Sequence, residues 1–258
     1  MEDLPAVLQA GPRVIYTAGR PPWFDSSGQM KEAFVIGICG GSGSGKTTVA
    51  KRIITALDLR WISHLSMDSF YKNLTKEQSD AARRNEYNFD SPDALDFADC
   101  VKKLKLLKQG KRVLIPIYNF VKHCRDKAQK TLYGANVVIL EGILIYFYPE
   151  LRDLIDLKVF VDTDIDVCLS RRLLRDTSDR GRTIDNILNQ YVKYVKPAFD
   201  HYVLPTMSIA DVIIPGDAHN EPAIDLIVKH VQRELHQVIY FVCSCSNFLP
   251  DKPIIELK

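Results

Sequence analysis

The chain has 258 residues, 46% of them hydrophobic, and 34 Lys+Arg against 32 Asp+Glu leave a net charge of +2. That size and apolar content suit one substantial domain, and the balanced charge argues against a nucleic-acid or membrane surface as the main partner. The six cysteines, Cys39, Cys100, Cys124, Cys168, Cys243 and Cys245, show no C-x-x-C pair and no histidines at zinc spacing, so a disulfide framework or metal knuckle is not expected.

Residues 1–30 scatter Pro5, Pro12, Pro21 and Pro22 among Gly11, Gly19 and Gly28 with little periodicity, and are expected to form an irregular lead-in. The opening MEDLPAVLQAGPRVIY is acidic and lacks the continuous apolar core of a secretory signal. Five short apolar runs follow as strand candidates, at 33–39, 61–67, 136–140, 157–161 and 210–214. Helical spacing is expected over 46–57, 94–109, 164–176, 183–202 and 220–236. Continuously apolar strands separated by helices predict an α/β fold, a parallel sheet covered on both faces. RVLIPIYNF (112–120) and KTLY (130–133) predict a small antiparallel hairpin with polar residues 121–129 between its arms. The domain is expected to cover 31–237. The tail 238–258 has no assigned place, and its apolar run from Val238 to Cys243 is too short to cross a bilayer. A soluble protein of the cytoplasm, and also of the nucleus, is the expectation.

The first strand runs into G-x-x-x-x-G-K-[ST]: Gly40, Gly41, Ser42, Gly43, Ser44, Gly45, Lys46 and Thr47, followed by Thr48 and a helical pattern. In that strand-loop-helix setting, glycines let backbone N–H groups converge on phosphate oxygens and the helix start favours negative charge. Lys46 can reach the β/γ-phosphates and the Thr47 hydroxyl can ligate Mg²⁺. A nucleoside triphosphate is the expected ligand.

Asp68 ends the second strand, where carboxyl ends of parallel strands face the ligand crevice, and could take a proton from an acceptor hydroxyl; a helix-capping role is the alternative. Glu141 ends the third strand, a usual location for a group that holds Mg²⁺ or its waters, with a solvated loop position as the alternative. RRLLRDTSDRGR carries Arg171, Arg172, Arg175, Arg180 and Arg182 between two helices. A wet helix face is the ordinary reading of such a run. Its arginine content and Arg-Gly-Arg ending suit a lid that closes guanidinium groups over transferring phosphates. Tyr71, Phe89, Asp90, Tyr118, Phe120 and His123 combine flat faces, a carboxylate and an imidazole, which would suit a planar ligand carrying a sugar.

GGSGSGKTT, LSMDSFY, NFDSPDALDF, PIYNFVKHCR, EGIL, RRLLRDTSDRGR, QYVKYVKPAFD and ADVIIP occur in this order, and together they resemble the uridine-cytidine kinases over residues 15–236. GRPPW ahead of them is similar to the uridine-cytidine kinase-like branch. The resemblance implies a phosphate-loop nucleoside kinase with a five-stranded parallel sheet, a small hairpin and an Arg-rich lid. Its implied activity is ATP- and Mg²⁺-dependent phosphorylation of the 5′-hydroxyl of uridine and cytidine to UMP and CMP in pyrimidine salvage. It makes residues 40–48 the ATP cradle, Asp68 the general base, Thr47 and Glu141 the Mg²⁺ holders, and Arg175 and Arg180, with Lys46, the groups on the phosphates. Asp90 would bind the ribose hydroxyls with Arg172 and Gln190 close by. Tyr118 and His123 would read the pyrimidine edge, Tyr71, Phe89 and Phe120 would pack near the nucleoside, and Arg182 would lie over it. The resemblance also implies a homotetramer.

Three departures stand out. Asn119 occupies the Asp position of PIYDF, and residues 216–220 replace a PRG-containing turn, with His219 where members place an Asp near the nucleotide. Members of the branch continue into a uracil-phosphoribosyltransferase-like domain, whereas this sequence ends in an unmatched tail. A non-catalytic nucleotide-binding scaffold is the rival expectation. A GTP switch is disfavoured by the lack of N-K-x-D after the phosphate loop.

Overall fold

The computed structural model describes residues 31–245 apart from Arg60, Asp217 and Ala218, together with the strands Val7–Ala10 and Arg13–Tyr16; side chains are described over 31–235. The two early strands, β1 (Val7–Ala10) and β2 (Arg13–Tyr16), pair antiparallel, so the expected irregular lead-in contains a hairpin.

The main sheet consists of β3 (Phe34–Gly40), β4 (Ile62–Ser66), β7 (Val137–Glu141), β8 (Leu157–Asp162) and β9 (Val212–Pro215), all parallel, in the order β4-β7-β3-β8-β9. Each expected strand lies within two or three residues of its observed bounds. Because successive side chains point to opposite faces, the buried runs divide between two cores. Ile36, Ile38, Val137, Ile139, Val159 and Val161 meet α1 (Lys46–Leu57) and α8 (Glu221–Cys245), which bury Val49, Ala50 and Ile53, and Ile227 and Val231, against them. Each such fully buried Val or Ile contributes roughly 1.5–3 kcal/mol. Val35, Cys39, Val138, Leu140 and Phe160 face the other core, with α3 (Phe97–Lys108) and the segment around Phe199.

β3 lies between β7, paired on one side, and β8, on the other, so strand order reverses there. In open α/β sheets the ligand crevice forms at that switch, beyond the carboxyl ends of the strands. The glycine loop, Asp68 and Glu141 all leave the sheet at that end.

The hairpin is β5 (Val113–Asn119) and β6 (Cys124–Leu132). Most of the polar stretch expected to connect the arms is itself strand: β6 is exposed over Asp126–Lys130 and pairs through its backbone, a role its polar side chains do not signal. The register shifts between Pro116 and Tyr118, beside a proline that has no N–H to donate.

Two further short helices were not expected, α2 (Lys76–Arg83) and α4 (Pro149–Arg152). The lid side starts with α5 (Ile165–Ser178) and α6 (Ile184–Gln190). The helix expected over 183–202 is not uniform: a wider π-helical turn at Tyr191–Val195, the short α7 (Lys196–Ala198) and a second π turn at Phe199–Val203 continue it. Pro197 sits between the π turns, where a regular helix would lose a hydrogen bond and clash with the preceding turn. The last helix, α8, continues to Cys245, so the expected domain end at 237 falls inside a helix. Among the described residues no helix is long and apolar enough to cross a membrane.

Candidate active site

The phosphate loop takes its shape from backbone that L side chains avoid. Gly40, Gly43 and Gly45 have φ of 150°, 88° and 93°. At Gly43 a Cβ would lie 2.4 Å from the Cys168 carbonyl oxygen, so the loop is held hard against α5. Gly45 precedes the first turn of α1, whose free N–H groups and dipole point into the crevice. Lys46 is buried, and its Nζ donates to the Gly41 carbonyl at 2.7 Å. Burial lowers the affinity of its amine for a proton, opposed by the nearby Glu141, Cys39 and Asp68.

Thr47 Oγ1 donates to Glu141, 3.0 Å from Oε1 and 2.8 Å from Oε2, so a hydroxyl and a carboxylate from different elements converge. Burial pushes the Glu141 carboxyl up, but His64, Lys46 and the Thr47 hydroxyl outweigh it and hold the group below the usual range. His64 Nε2 lies 3.4 Å from Glu141 Oε1. Among the described residues no group of three or more His, Cys, Asp or Glu could hold a metal ion by itself. Two adjacent oxygen donors fit Mg²⁺, which keeps waters and takes phosphate oxygens as further ligands.

Asp68 sits in the 3₁₀ turn Met67–Phe70 directly after β4, which Ser66 caps. Enclosure by the protein and the Glu141 carboxylate raise its pKa, against Lys46, Arg180 and Arg175. Burial and the neighbouring carboxylate therefore outweigh the three cations at this position.

Beyond Asp68 the cleft has an aromatic wall. Phe89 and His123 stack with ring centroids 4.6 Å apart, and Tyr118 lies 5.0 Å from Tyr71 and 5.2 Å from Phe120. His123 takes φ of 53°, uncommon for a residue with a Cβ, in a turn where Asn119 Oδ1 accepts from Val121 and Lys122 N–H at 3.0 and 2.9 Å. Burial, Arg182 and Arg180 lower the His123 pKa to about 4, so its ring is neutral at pH 7 and presents both a donor and an acceptor. His123 Nδ1 and the Tyr118 hydroxyl are both buried without a hydrogen-bond partner. Asp90 stands near Arg172, Arg182 and Arg180, which oppose the upward push of its burial.

These parts open into one cleft of about 320 Å³. Of the residues singled out in the sequence, Ser42, Gly43, Gly45, Lys46, Thr47, Thr48, Asp68, Tyr71, Phe89, Asp90, Phe120, His123, Glu141, Arg171, Arg172, Arg175, Arg180, Arg182 and Gln190 line it. Tyr118 does not; it packs one layer behind Tyr71 and Phe120. Gly40, Gly41 and Ser44 shape the loop from outside the lining, Ser44 being 1% exposed. A second groove, beyond Thr48, runs between α1 and α8 past Arg52, Thr55, Glu221 and Asp225.

Residues 35–221 match the Phosphoribulokinase / Uridine kinase family. The chain belongs to that family. Uridine-cytidine kinase-like 1 of Mus musculus is 56% identical over 90% of this chain and 43% of its own length. Uridine-cytidine kinase A of Dictyostelium discoideum is 51% identical, over 86% of this chain and 44% of its own. The chain thus spans less than half the length of these two relatives, but uridine-cytidine kinase 2-B of Danio rerio, 49% identical, is matched over 80% of its length and 79% of this chain. Phosphoribulokinase from Rhodobacter spheroides superposes with a TM-score of 0.56 at 16% identity, covering 71% of this chain and 70% of that one, which shows the shared phosphate-loop kinase fold.

Within this family member, sequence reasoning passed over two groups. Asp176 is fully buried beneath the lid arginines, and a single Asp in an arginine run reads as surface charge patterning. His64, half-buried beside Glu141, carries no motif of its own; only its place on β4, the strand paired with the one that ends in Glu141, could have marked it.

Proposed function

We propose that this chain is a uridine and cytidine kinase, transferring the γ-phosphoryl group of ATP to the nucleoside 5′-hydroxyl to give UMP or CMP. The observation that carries this reading is that the phosphate loop and the aromatic wall with Asp90 and His123 open into one cleft, with Asp68 between them. Donor phosphates and acceptor sugar would then meet at a carboxylate.

In this reading the backbone of residues 40–48 and Lys46 hold the triphosphate. Thr47 and Glu141 would hold Mg²⁺, which when bound neutralises charge on the phosphates. Asp90, with Arg172 and Gln190 nearby, binds the ribose hydroxyls and aims O5′ along the line of the β–γ bridge. Asp68 accepts the O5′ proton as the O5′–P bond forms and the bond from phosphorus to the bridging oxygen breaks, releasing ADP. Arg175 and Arg180 bind the charge that gathers on the transferring group. His123, neutral and able to donate or accept, leaves an unpaired polar atom for the position-4 edge of a pyrimidine, O4 of uridine or N4–H₂ of cytidine, while Tyr118, one layer behind, backs the wall through Tyr71 and Phe120. The groove between α1 and α8, continuous with Thr48, is the side on which the adenosine end of ATP would lie. A homotetramer, the assembly the family leads one to expect, is tested by light scattering of the purified chain.

The deciding experiment is ADP release by purified protein with ATP, Mg²⁺ and uridine, cytidine or adenosine. Turnover with both pyrimidines and little with adenosine is expected. ATP consumption that no pyrimidine nucleoside increases would favour a nucleotide-binding scaffold.

A further inference from the structure

Asp176 is 0% exposed, yet no step of the proposed transfer uses it. A buried carboxylate is costly unless paired, and this one is over-supplied. Oδ1 receives Arg175 through Nε at 2.9 Å and Nη2 at 2.8 Å, and Arg180 Nη1 at 3.3 Å. Oδ2 receives Arg182 Nη1 at 3.3 Å and faces Arg172 Nε at 3.8 Å. The backbone joins in: Arg182 N–H donates to the Asp176 carbonyl at 3.0 Å, fixing the turn that carries the last two arginines.

Between them, the arginines on these two oxygens reach both ends of the cleft. Arg175 and Arg180, on Oδ1, act on Asp68 at the phosphate end, and Arg180 also lies over the Phe120 ring of the aromatic wall, 4.1 Å from its centroid. Arg172 and Arg182, on Oδ2, are the leading charges acting on Asp90, at the sugar end. Arg182 Nη1 also donates to Gln190 Oε1 at 3.1 Å, and Arg172 Nη1 donates to Ser42 Oγ at 3.0 Å, so the sugar-side pair reaches from α6 to the phosphate loop. Four guanidinium groups around one carboxylate leave a surplus of three positive charges. Without the carboxylate they would repel one another and take separate positions.

We propose that Asp176 is a positioning residue that couples the two substrate sites, its Oδ1 and Oδ2 tying the phosphate-side and sugar-side arginines into one unit so that filling either site tightens the other. The proposal rests on the pyrimidine nucleoside kinase reading. Ordering Arg172 and Arg182 over a nucleoside orders Arg175 and Arg180 through the shared carboxylate. The second ligand then meets arginines already arranged, and the effect is reciprocal. Asn at this position keeps the shape but replaces one oxygen with an N–H₂ that faces a guanidinium donor, which severs one arm.

The test is calorimetric titration of the full chain with uridine, with and without a non-hydrolysable ATP analogue and Mg²⁺. For the wild type, uridine affinity should rise about 5- to 150-fold when the analogue is present, the usual range of such coupling. In Asp176→Asn that ratio should fall toward one while each ligand alone still binds, and Asp176→Glu, which keeps both oxygens, should restore part of it. A merely structural carboxylate would weaken both binary affinities and leave the ratio intact, and that result overturns the proposal. A wild-type ratio of one overturns it as well. If Asp176→Asn does not fold, Arg182→Gln cuts the Oδ2 arm instead: a reduced ratio supports the coupling, and an unchanged ratio refutes it. Failure of the wild type to bind uridine at all removes the acceptor assignment and this proposal together, whereas uridine binding with coupling indifferent to Asp176 removes this proposal alone.

Discussion

The phosphate loop and the arginine lid face each other across the cleft and are built by opposite means. The loop is chiefly a backbone device: the glycines from Gly40 to Gly45 shape it through missing side chains, and at Lys46 and Thr47 side chains join the amides. The lid is a side-chain device, in which long cations from α5 and the following turn are ordered by one buried acid. A backbone device is rigid and works on the ground state and the transition state alike. Long side chains held by shared charge can shift as charge shifts, which suits them to binding a transition state more strongly than a substrate.

The sharpest way to break this division is to remove the group that belongs to neither device. Asp68→Asn should retain nucleoside and ATP binding and lose about 10²- to 10⁴-fold in kcat, the usual size of general-base catalysis; near-normal turnover would end its assignment as base. On the lid side, Arg175→Ala should cost roughly 10²- to 10³-fold in single-turnover transfer, the scale of a lost transition-state donor, with a smaller change in ATP affinity by calorimetry. Arg180→Lys should fail to restore full rate, because an ammonium cannot form a planar two-armed contact. Equal losses in affinity and rate would make the lid another ground-state device.

The loop should respond the other way. Gly43→Ala demands a Cβ 2.4 Å from the Cys168 carbonyl at φ of 88°, so ATP binding should weaken by about 2–5 kcal/mol from combined backbone strain and overpacking. Uridine affinity in the absence of ATP, measured beside it, should stay near wild type. His123→Leu should lower kcat/KM for uridine and cytidine alike by a factor that corresponds to roughly 1–3 kcal/mol for an unpaired buried polar group. Equal values for variant and wild type would remove His123 from base recognition.

The smallest effect is on stability. The His123 pKa of about 4 lies below its ordinary 6.5, so between these values the unfolded chain binds a proton that the native chain refuses. Stability from this site is therefore complete above about pH 6.5 and is lost as pH falls toward 4. The Tm difference between wild type and His123→Asn should shift against the wild type from pH 7.5 to pH 5, and a constant difference would contradict the neutral buried ring.

The contrast also explains what was legible. The loop, its strand and α1 read directly from the sequence because local glycine spacing and apolar periodicity determine them. Asp68 and Glu141 were equally legible, since a carboxylate at the end of an apolar strand has its direction set by the sheet. The lid arginines were visible as a cluster, but the role of Asp176 was not, because pairing with four partners is tertiary information. α2 lacks an apolar face, with Ala82 its only buried residue; its signal was the Thr75 and Gln78 capping box, which a search for hydrophobic period passes over. β6 pairs through its backbone at an exposed edge and so carries no alternation to read. The π turns flanking Pro197 lie in a segment whose side-chain period is close to that of an ordinary helix.

Gly41 adds a point about paired substitution. A Cβ there would come within 3.2 Å of the Phe199 ring, which belongs to the second π turn on the lid side of the cleft. The two positions share one space, so a Cβ at 41 requires the Phe199 ring to give by a few tenths of an ångström. A smaller residue at 199 relieves that demand, so the double change Gly41→Ala with Phe199→Leu should recover whatever function Gly41→Ala alone loses.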